Sequence, residues 1–303
     1  MNQKARHPKP FMPKLSIIIP TYKRADLLEK CLLSIVAQKE FADCEVIIVN
    51  DSQDKDTKLL VERFHASHPN ILYIASKHRG QSVARNIGLG KAHAGLITFL
   101  DDDCVACNDW IRNIIKAHSR YDEAIAGSIV PLHKGLVAEF LQGLEARADM
   151  KDDRIFYPSL INNNSYKSHQ LKEMKFDVEF FPTGEDVDFN MRLAKKGVQT
   201  RFVHNIIVLH NYKNALLPML KQQHSFGLCR PKIMRLSNDY PFERNPFALY
   251  VLKRLATPIV DPWLRLSFAL RYKRKHALMY LPLGYLQQIA YWSGFIRGVI
   301  KRI

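Results

Sequence analysis

With 303 residues, of which 47% are hydrophobic, the chain can bury one large core, which excludes a small scaffold held together by disulfides. Its five cysteines form an odd set without framework spacing, and its first residues contain no apolar stretch typical of a secretory signal. We therefore expect a reducing cytosol. The formal net charge of +16 favours a polyanionic partner: nucleic acid, anionic lipid or a phosphorylated substrate.

Short apolar runs alternate with amphipathic helical stretches from the N-terminus to about residue 130. Alternation at this pitch predicts an α/β fold in which a parallel sheet is covered on both faces. The predicted strands are LSIII (15–19), EVIIV (45–49), ILYIA (71–75) and LITFL (96–100), and the predicted helices lie near 27–35, 55–66 and 81–93.

Polar and charged residues follow each of these four strands. In open parallel sheets, ligands bind beyond the carboxyl ends of the strands, so we expect these residues to converge on one rim. They are Pro20–Arg24, Asn50–Ser52, Lys77–Gly80 and Asp101–Asp103.

The stretch from about 124 to 211 is predicted to complete the same domain. It contains a predicted strand AIAGSIV (124–130), a polar loop at Asn162–Ser165, and a helix at Glu185–Lys196 that follows the turn Pro182–Gly184. Beyond His210 the sequence becomes basic and helical, with repeated prolines that interrupt the helices.

Three adjacent carboxylates, Asp101, Asp102 and Asp103, come directly after the apolar strand LITFL. Adjacent carboxylates repel each other unless a cation or hydrogen-bond donors offset their charge. Mg²⁺ or Mn²⁺ suits this position, because such ions prefer oxygen ligands and usually bind one or two carboxylates together with substrate phosphates. Asp101 and Asp103 are therefore candidate metal ligands. The alternative is a solvated acidic turn that caps the next helix.

Five sequence blocks occur in an order and spacing that resemble the family-2 glycosyltransferases of GT-A fold: SIIIPTYKR, VIIVNDSQDKDT, HRGQSVARNIGL, FLDDDC and FFPTGEDVDFNMRL. The resemblance covers roughly residues 15–215. It implies a GT-A-type, Rossmann-like α/β domain at 14–215, with a mainly parallel sheet flanked by helices. A flexible segment at 1–13 is expected before this domain, and a basic helical extension at 216–303 is expected after it.

The resemblance also implies roles for individual residues. A metal that bridges the donor diphosphate is expected on Asp101 and Asp103, with Asp102 touching the ribose or the sugar. A histidine placed like His210 reaches the metal or the diphosphate in many relatives. The nucleotide base and ribose are expected to lie against Pro20, Thr21, Tyr22, Arg24 and Asp51.

The expected reaction is an in-line displacement that inverts the anomeric carbon. A base must take the acceptor proton on one face of the sugar while a metal acts as Lewis acid on the departing diphosphate opposite. The resemblance assigns the base to the Glu185–Asp186 pair, and Asp186 is the preferred member. The alternative for these two residues and Asp188 is first-turn acidity that offsets the helix dipole.

The block around Gly80 supplies further candidates for binding the nucleotide sugar. Arg79 and Arg85 can donate charge-assisted hydrogen bonds to a phosphate or to the nucleotide base. Gly80 lies between them in the sequence and completes the set of expected binding residues.

The C-terminal region combines basic and apolar residues, with ten Lys or Arg and one acid between 246 and 303. The segment 276–300 has the length of a bilayer span, but its glutamines and Arg297 would be costly in hydrocarbon. We expect helices that lie in an anionic membrane interface. The alternative is packing on the transferase domain or a second subunit. The predicted apolar stripe is Leu278, Leu281, Tyr285, Ile289, Trp292 and Phe295.

Together these features predict a cytoplasmic enzyme, peripheral to the inner face of the cell membrane, that uses a nucleotide diphosphate sugar. A UDP-sugar is the expected donor, and a glycan or lipid-linked precursor is the expected acceptor. One alternative is a sugar nucleotidyltransferase, which needs a glycine-rich loop where Pro20–Arg24 has none. Another is an inactive relative that binds lipid or nucleic acid. Nucleic acid is not an expected partner, since the basic and aromatic tail suits an interface better than a groove.

Overall fold

One sheet organises the part of the chain that the structure describes. The computed structural model describes residues 12–52, 54–77, 79–143, 153–156, 160–180, 183–237, 257–271, 273 and 275–301. The strands of the sheet are β1 (Leu15–Thr21), β2 (Cys44–Asn50), β3 (Ile71–Ala75), β4 (Leu96–Phe99), β5 (Cys104–Ala106), β6 (Ala124–Pro131), β7 (Ile155–Phe156), β8 (Asn164–Lys167) and β9 (Thr200–His210). Their order is β3-β2-β1-β4-β8-β6-β9-β5, and β7 also pairs with β9.

Helices flank this sheet and continue beyond it. Those interleaved with the strands are α1 (Ala25–Val36), α2 (Lys55–Ser67), α3 (Gln81–Leu89), α4 (Trp110–His118), α5 (Leu136–Gln142) and α6 (Glu185–Lys195). The helices that follow β9 are α7 (Leu216–Ser237), α8 (Thr257–Arg271) and α9 (Tyr280–Ile300). Single 3₁₀ turns occur at Lys39–Asp43, Ser168–Leu171 and Ala277–Met279.

The first half of the sheet is parallel, as the sequence predicts. β1 pairs in parallel with β2 and β4, and β2 pairs in parallel with β3. Every residue of β1 and β2 is buried because helices cover both faces. Ile17 and Ile19 pack in the cluster that contains Leu28 of α1, whereas Ile18 packs with Ala84 of α3 on the other face. The predicted strands and helices of this half are confirmed.

The second half of the sheet is mixed. β8 runs antiparallel to both of its neighbours, β4 and β6, while β9 runs parallel to β6 and antiparallel to β5. The predicted polar loop at Asn162–Ser165 is wrong in its second half, since Asn164 and Ser165 begin strand β8. All four of these polar residues are buried. They can be buried because the sheet supplies partners: the Asn163 amide nitrogen donates to the carbonyls of Ser128 and Ile206.

The C-terminal helices pack closely against one another, and glycines make this possible. A Cβ on Gly227 of α7 would lie 1.9 Å from the carbonyl oxygen of Tyr291, and a Cβ on Gly294 of α9 would lie 2.0 Å from that of His224. Backbone therefore meets backbone where α7 and α9 cross. Among the described residues, no helix reaches both the length and the apolarity that a membrane span requires. Most of the predicted flexible segment, residues 1–11, and the tail segment 246–256 lie outside the described residues.

Candidate active site

A cleft of about 880 Å³ opens beyond the carboxyl ends of β1, β2 and β4 and is also lined by residues of α7, α8 and α9. The predicted rim is therefore present, and most of the predicted site residues share this one cleft. The predicted residues that line it are Pro20, Thr21, Tyr22, Arg24, Asp51, Gly80, Arg85, Asp101, Asp103, Glu185, Asp186 and His210. Arg79 and Asp102 are the two predicted site residues that are not among the residues lining the cleft.

Asp51 holds the loop between β3 and α3 through backbone amides. Its Oδ1 accepts from the amide of Arg79 at 3.0 Å, and its Oδ2 accepts from the amide of Gly80 at 2.7 Å. Gly80 has φ +89°, a conformation that side-chain-bearing residues rarely adopt, so the tight approach requires glycine. The Arg79 side chain is exposed. Its contribution in this structure comes from its backbone, while its predicted phosphate contact stays a prediction.

Arg24 offsets the charge of the acidic triplet. Its guanidinium lies 2.5 Å from Asp102 Oδ1 and 3.0 Å from Asp103 Oδ2. Asp102 is fully buried, and burial raises its pKa to about 7 although the Arg24 charge opposes the shift. The carboxylate of Asp102 thus anchors Arg24 from beneath. Its expected contact with the ribose or sugar stays a prediction.

The pairing of β5 with β9 brings His210 to the acidic triplet. Cys104 lies opposite His210 in the antiparallel register, and His210 Nε2 lies 3.3 Å from Asp103 Oδ1. Burial alone would raise the pKa of Asp103, but the hydrogen bond with His210 and the nearby Arg24 charge lower it. One potential ligand atom from each of Asp103, Cys104 and His210 lies within 4.8 Å of the other two.

These donor atoms fit a divalent cation. A carboxylate oxygen and an imidazole nitrogen both bind Mn²⁺, and the second acidic residue, Asp101, also lines the cleft. The Cys104 thiol is the weakest candidate, because burial and the neighbouring carboxylates raise its pKa well above the ordinary value and keep it protonated. The structure therefore contains a possible metal site, with Asp103 and His210 as its core.

Arg85 links the two acidic groups of the cleft. Its side chain is buried, and its two terminal nitrogens lie 3.0 Å from Asp101 Oδ1 and 2.7 Å from Glu185 Oε1. Burial alone would lower the pKa of Arg85, but the carboxylates of Asp101 and Glu185 raise it above its ordinary value. The side-chain amide of Gln81 donates a second hydrogen bond to Glu185 Oε1. Glu185 is thus held by two partners from α3.

Asp186 is more exposed than its neighbour Glu185, although both residues line the cleft. Gly184, with φ +102°, precedes α6, in whose first turn Glu185 is buried and Asp186 is partly exposed. Burial and the adjacent Glu185 carboxylate raise the pKa of Asp186 to about 8. Asp188, also in the first turn of α6, pairs with Arg192 one turn along the helix.

Sequence reasoning missed two groups of cleft residues. Gln81 is the first residue of α3, and no local pattern indicates that it holds Glu185. The second group belongs to the C-terminal helices and lines the same cleft. It comprises Gln222, Gln223, Ser225, Phe226, Asp261, Arg265, Gln287, Gln288 and Tyr291. The available signal was the presence of glutamines in an otherwise apolar segment.

The family model for glycosyl transferase family 2 matches residues 16–182, which is more than half of the chain. The chain belongs to glycosyl transferase family 2. The family and the related glycosyltransferases indicate a glycosyltransferase. The resemblance inferred from the five sequence blocks is thereby confirmed.

Several named relatives are similar to this glycosyltransferase. GalNAc(5)-diNAcBac-PP-undecaprenol beta-1,3-glucosyltransferase of Campylobacter jejuni is 30% identical over 56% of this chain and 57% of its own length. Glycosyltransferase AglE of Haloferax volcanii is 26% identical over 71% of this chain and 72% of its own length. The chain thus spans little more than half the length of the first of these relatives.

The fold is similar to that of mannosyltransferase PcManGT from Pyrobaculum calidifontis, solved in complex with GDP-Man and Mn²⁺. The TM-score is 0.66, and the likeness covers 97% of this chain and 89% of the other at 16% identity. The expected GT-A-type α/β fold with a helical C-terminal extension is therefore confirmed.

The buried Arg85 gives a first prediction. Arg85→Met leaves Asp101 and Glu185 without their guanidinium partner, and removing one member of a buried ion pair costs about 3–5 kcal/mol. We expect a loss of that size in the free energy of unfolding, measured by urea denaturation. The control is Arg63→Met, which removes an exposed pair with Glu29 and should leave stability unchanged. Equal effects of the two substitutions would contradict the assigned role of Arg85.

Proposed function

We propose that this glycosyltransferase moves a sugar, with inversion, from a nucleotide diphosphate donor to a hydroxyl of a lipid-linked or cell-surface glycan precursor. The observation that carries the proposal is the shared cleft, which holds Asp186 together with Asp103 and His210. Support for the acceptor comes from the names of two relatives. One name specifies an undecaprenol-linked glycan, and the other, of a glucuronosyltransferase of Methanococcus voltae that is 23% identical, specifies a dolichyl-linked sugar phosphate.

The donor is proposed to lie against the end of β1 and the loop that Asp51 holds. Pro20, Thr21 and Tyr22 line this part of the cleft, and the Tyr22 ring is partly exposed, which leaves it available to a base. We propose a UDP-sugar as donor, as the family resemblance implies. The structural neighbour binds GDP-Man, so both nucleotides belong in a donor screen.

The proposed cofactor is Mn²⁺ or Mg²⁺, held by Asp103 and His210 with Asp101 beside them. When bound, such an ion stabilises the negative charge that develops on the leaving diphosphate. The protein prepares for it by keeping the Asp103 carboxylate ionised, since His210 and Arg24 hold its pKa below the ordinary value. Arg24 and Arg85 line the same cleft and can contact the phosphates through charge-assisted hydrogen bonds.

Asp186 is the proposed catalytic base. Both Asp186 and Glu185 line the cleft, but the Glu185 carboxylate is held by Arg85 and Gln81 and serves to position α3 against α6. A general base works best when its pKa lies near the operating pH, and burial moves Asp186 in that direction. A carboxylate oxygen of Asp186 can take the proton from the hydroxyl of the acceptor as that hydroxyl attacks the anomeric carbon.

We further propose that the enzyme is peripheral to the cytoplasmic face of an anionic membrane and binds it through the C-terminal helices. Support comes from apolar side chains that these helices expose, with Leu264, Leu278 and Ile289 at 60%, 75% and 66% exposure. Exposed basic residues flank them: Lys273, Lys275, Arg297 and Lys301. Of the predicted stripe, Leu278, Tyr285 and Ile289 are exposed, but Phe295 packs inside.

Replacing the proposed base should separate binding from turnover. Asp186→Asn keeps the shape of the cleft but cannot accept a proton, so we expect transfer to fall by roughly two to four orders of magnitude. Donor affinity, measured by calorimetry with Mn²⁺, should stay near the wild-type value. In the wild type, transfer should rise as the pH increases through about 8, because only the ionised Asp186 accepts a proton. Turnover within a few-fold of wild type in the variant would assign the base elsewhere.

Removing the proposed metal ligand should abolish metal-dependent binding. We expect Asp103→Ala to lose the gain in affinity for a nucleoside diphosphate that Mn²⁺ gives the wild type, and to lose transfer as well. Calorimetric titrations of UDP and of GDP, each with Mn²⁺ and with EDTA, measure this gain directly. Asp122→Ala, which removes an exposed carboxylate paired with Lys167, is the control and should behave as wild type. A full Mn²⁺ effect in Asp103→Ala would exclude this ligand.

Charge placed on the exposed apolar residues should weaken membrane binding. The double variant Leu264→Asp with Ile289→Asp should bind vesicles of phosphatidylcholine and phosphatidylglycerol at least roughly tenfold more weakly, since each such side chain contributes about 1.5–3 kcal/mol when buried. Leu59→Asp changes an equally exposed leucine on α2 and should bind as wild type. Wild-type binding should also fall in pure phosphatidylcholine and in high salt. Unchanged sedimentation of the double variant with anionic vesicles would refute this membrane face.

A further inference from the structure

A polar network runs through the C-terminal helices where the rest of their packing is apolar. The side-chain amide of Gln287 on α9 donates to Gln223 Oε1 on α7 at 2.9 Å. The amide of Gln288 donates to Asp261 Oδ2 on α8 at 2.7 Å, and Arg265 lies 2.7 Å from the same oxygen. All five side chains line the active-site cleft, where the C-terminal helices form part of its wall.

Burying this polar network costs free energy of folding, and the packing of the helices does not explain why it is there. Gln223, Gln287 and Gln288 are each at least 95% buried, and buried amides destabilise a protein when their hydrogen bonds are incomplete. Helices α7 and α9 already meet through glycine contacts, so their packing does not require these amides. Moreover, the Gln223 amide nitrogen has no hydrogen-bond partner among the described residues. A donor is therefore left available at the cleft.

The chemistry of this wall suits a neutral, hydroxyl-bearing ligand. Asp261 and Arg265 pair with each other, so the wall carries no excess of positive charge that would select a phosphate. Planar amides donate hydrogen bonds to hydroxyl groups and accept them, and a carboxylate accepts them. Two aromatic side chains, Phe226 and Tyr291, line the same wall and offer flat apolar surfaces. Aromatic surfaces with a few placed polar groups are what a small polar ligand requires of a binding pocket.

We propose that this wall, formed by Gln223, Asp261, Arg265, Gln287 and Gln288 with Phe226 and Tyr291, is the subsite that binds the acceptor sugar. The inference rests on the proposed function, since it names the acceptor side of the same cleft. The amides hydrogen-bond the sugar hydroxyls and the aromatic rings pack on its apolar face. The subsite presents the attacking hydroxyl to Asp186, which lines the same cleft. The C-terminal helices thus set which acceptor is used.

The test measures sugar binding in the absence of a donor sugar. The probes are the methyl glycosides of glucose, galactose, N-acetylglucosamine and N-acetylgalactosamine, added to the full chain with Mn²⁺ and UDP or GDP and followed by saturation-transfer NMR. At least one glycoside should bind the wild type and Asp186→Asn alike. The double variant Gln223→Met with Gln287→Met removes both partners of a buried hydrogen bond at nearly constant volume. It should bind that glycoside about tenfold more weakly, the loss of roughly one to two hydrogen bonds.

One control and a second variant of the subsite distinguish a lost subsite from a damaged fold. Gln38→Met removes a buried glutamine that bonds Cys107 on the sheet side, and should leave glycoside binding unchanged. Phe226→Ala changes a partly exposed ring, so it folds even if the double variant does not, and should also weaken glycoside binding. Wild-type affinity in both Phe226→Ala and the double variant, or no glycoside bound by the wild type, would overturn the proposal.

Nucleotide-sugar hydrolysis, measured on the wild-type sample, separates this inference from the proposed function. Glycoside binding that depends on Gln223 and Gln287, without hydrolysis of any donor, would support the subsite and remove the proposed reaction. Donor hydrolysis with glycoside binding that is insensitive to both glutamines would support the reaction and remove the subsite.

Discussion

Five carboxylates meet at one rim of the sheet, and the site depends on how their charge is offset. They are Asp101, Asp102, Asp103, Glu185 and Asp186. Two arginines supply the compensation: Arg24 spans the last two members of the triplet, and Arg85 spans the first member and Glu185. Because an unpaired buried charge costs several kcal/mol, the buried carboxylates of Asp102 and Glu185 depend on these two arginines as partners. Arg85 also fixes α3 against α6, so the same ion pair that offsets the charge of Glu185 sets the relative position of these two helices.

The surroundings of these carboxylates differ, and the pKa values of Asp103 and Asp186 are shifted in opposite directions. The pKa of Asp103 is lowered by His210 and Arg24, which favours the ionised form that a cation needs. The pKa of Asp186 is raised by burial and by Glu185, which favours proton uptake. Titratable groups whose pKa values are pushed in opposite directions are typical of acid–base sites. The adjacent Glu185 takes neither of these two roles, because its carboxylate forms a buried ion pair with Arg85 that holds α3 against α6.

Much of this arrangement could be predicted from the sequence, because it depends on local periodicity. Apolar runs and helical patterns place β1 to β4, and parallel strands bring their carboxyl ends to one rim. Strand β8 could not be found this way. Its Asn164 and Ser165 are polar, and their burial depends on partners from β4, β6 and His118 that are distant in sequence. The link from Arg85 to Glu185 crosses 100 positions, so no spacing rule indicates it.

The orientation of the C-terminal helices could not be predicted from the sequence either. Their sequence is amphipathic and basic, which indicates an interface but does not say which side faces the cleft. In the structure, one side of α9 places Gln287 and Gln288 in the cleft wall, while its other side exposes Ile289 and Ile296. Under the proposals made above, a single helix touches both the acceptor sugar and the membrane surface. A lipid-linked acceptor has its sugar and its lipid covalently joined, so a helix with these two faces can hold both ends at once. Binding both ends on one rigid element raises the effective concentration of the sugar at Asp186 without any new contact at the reacting atoms.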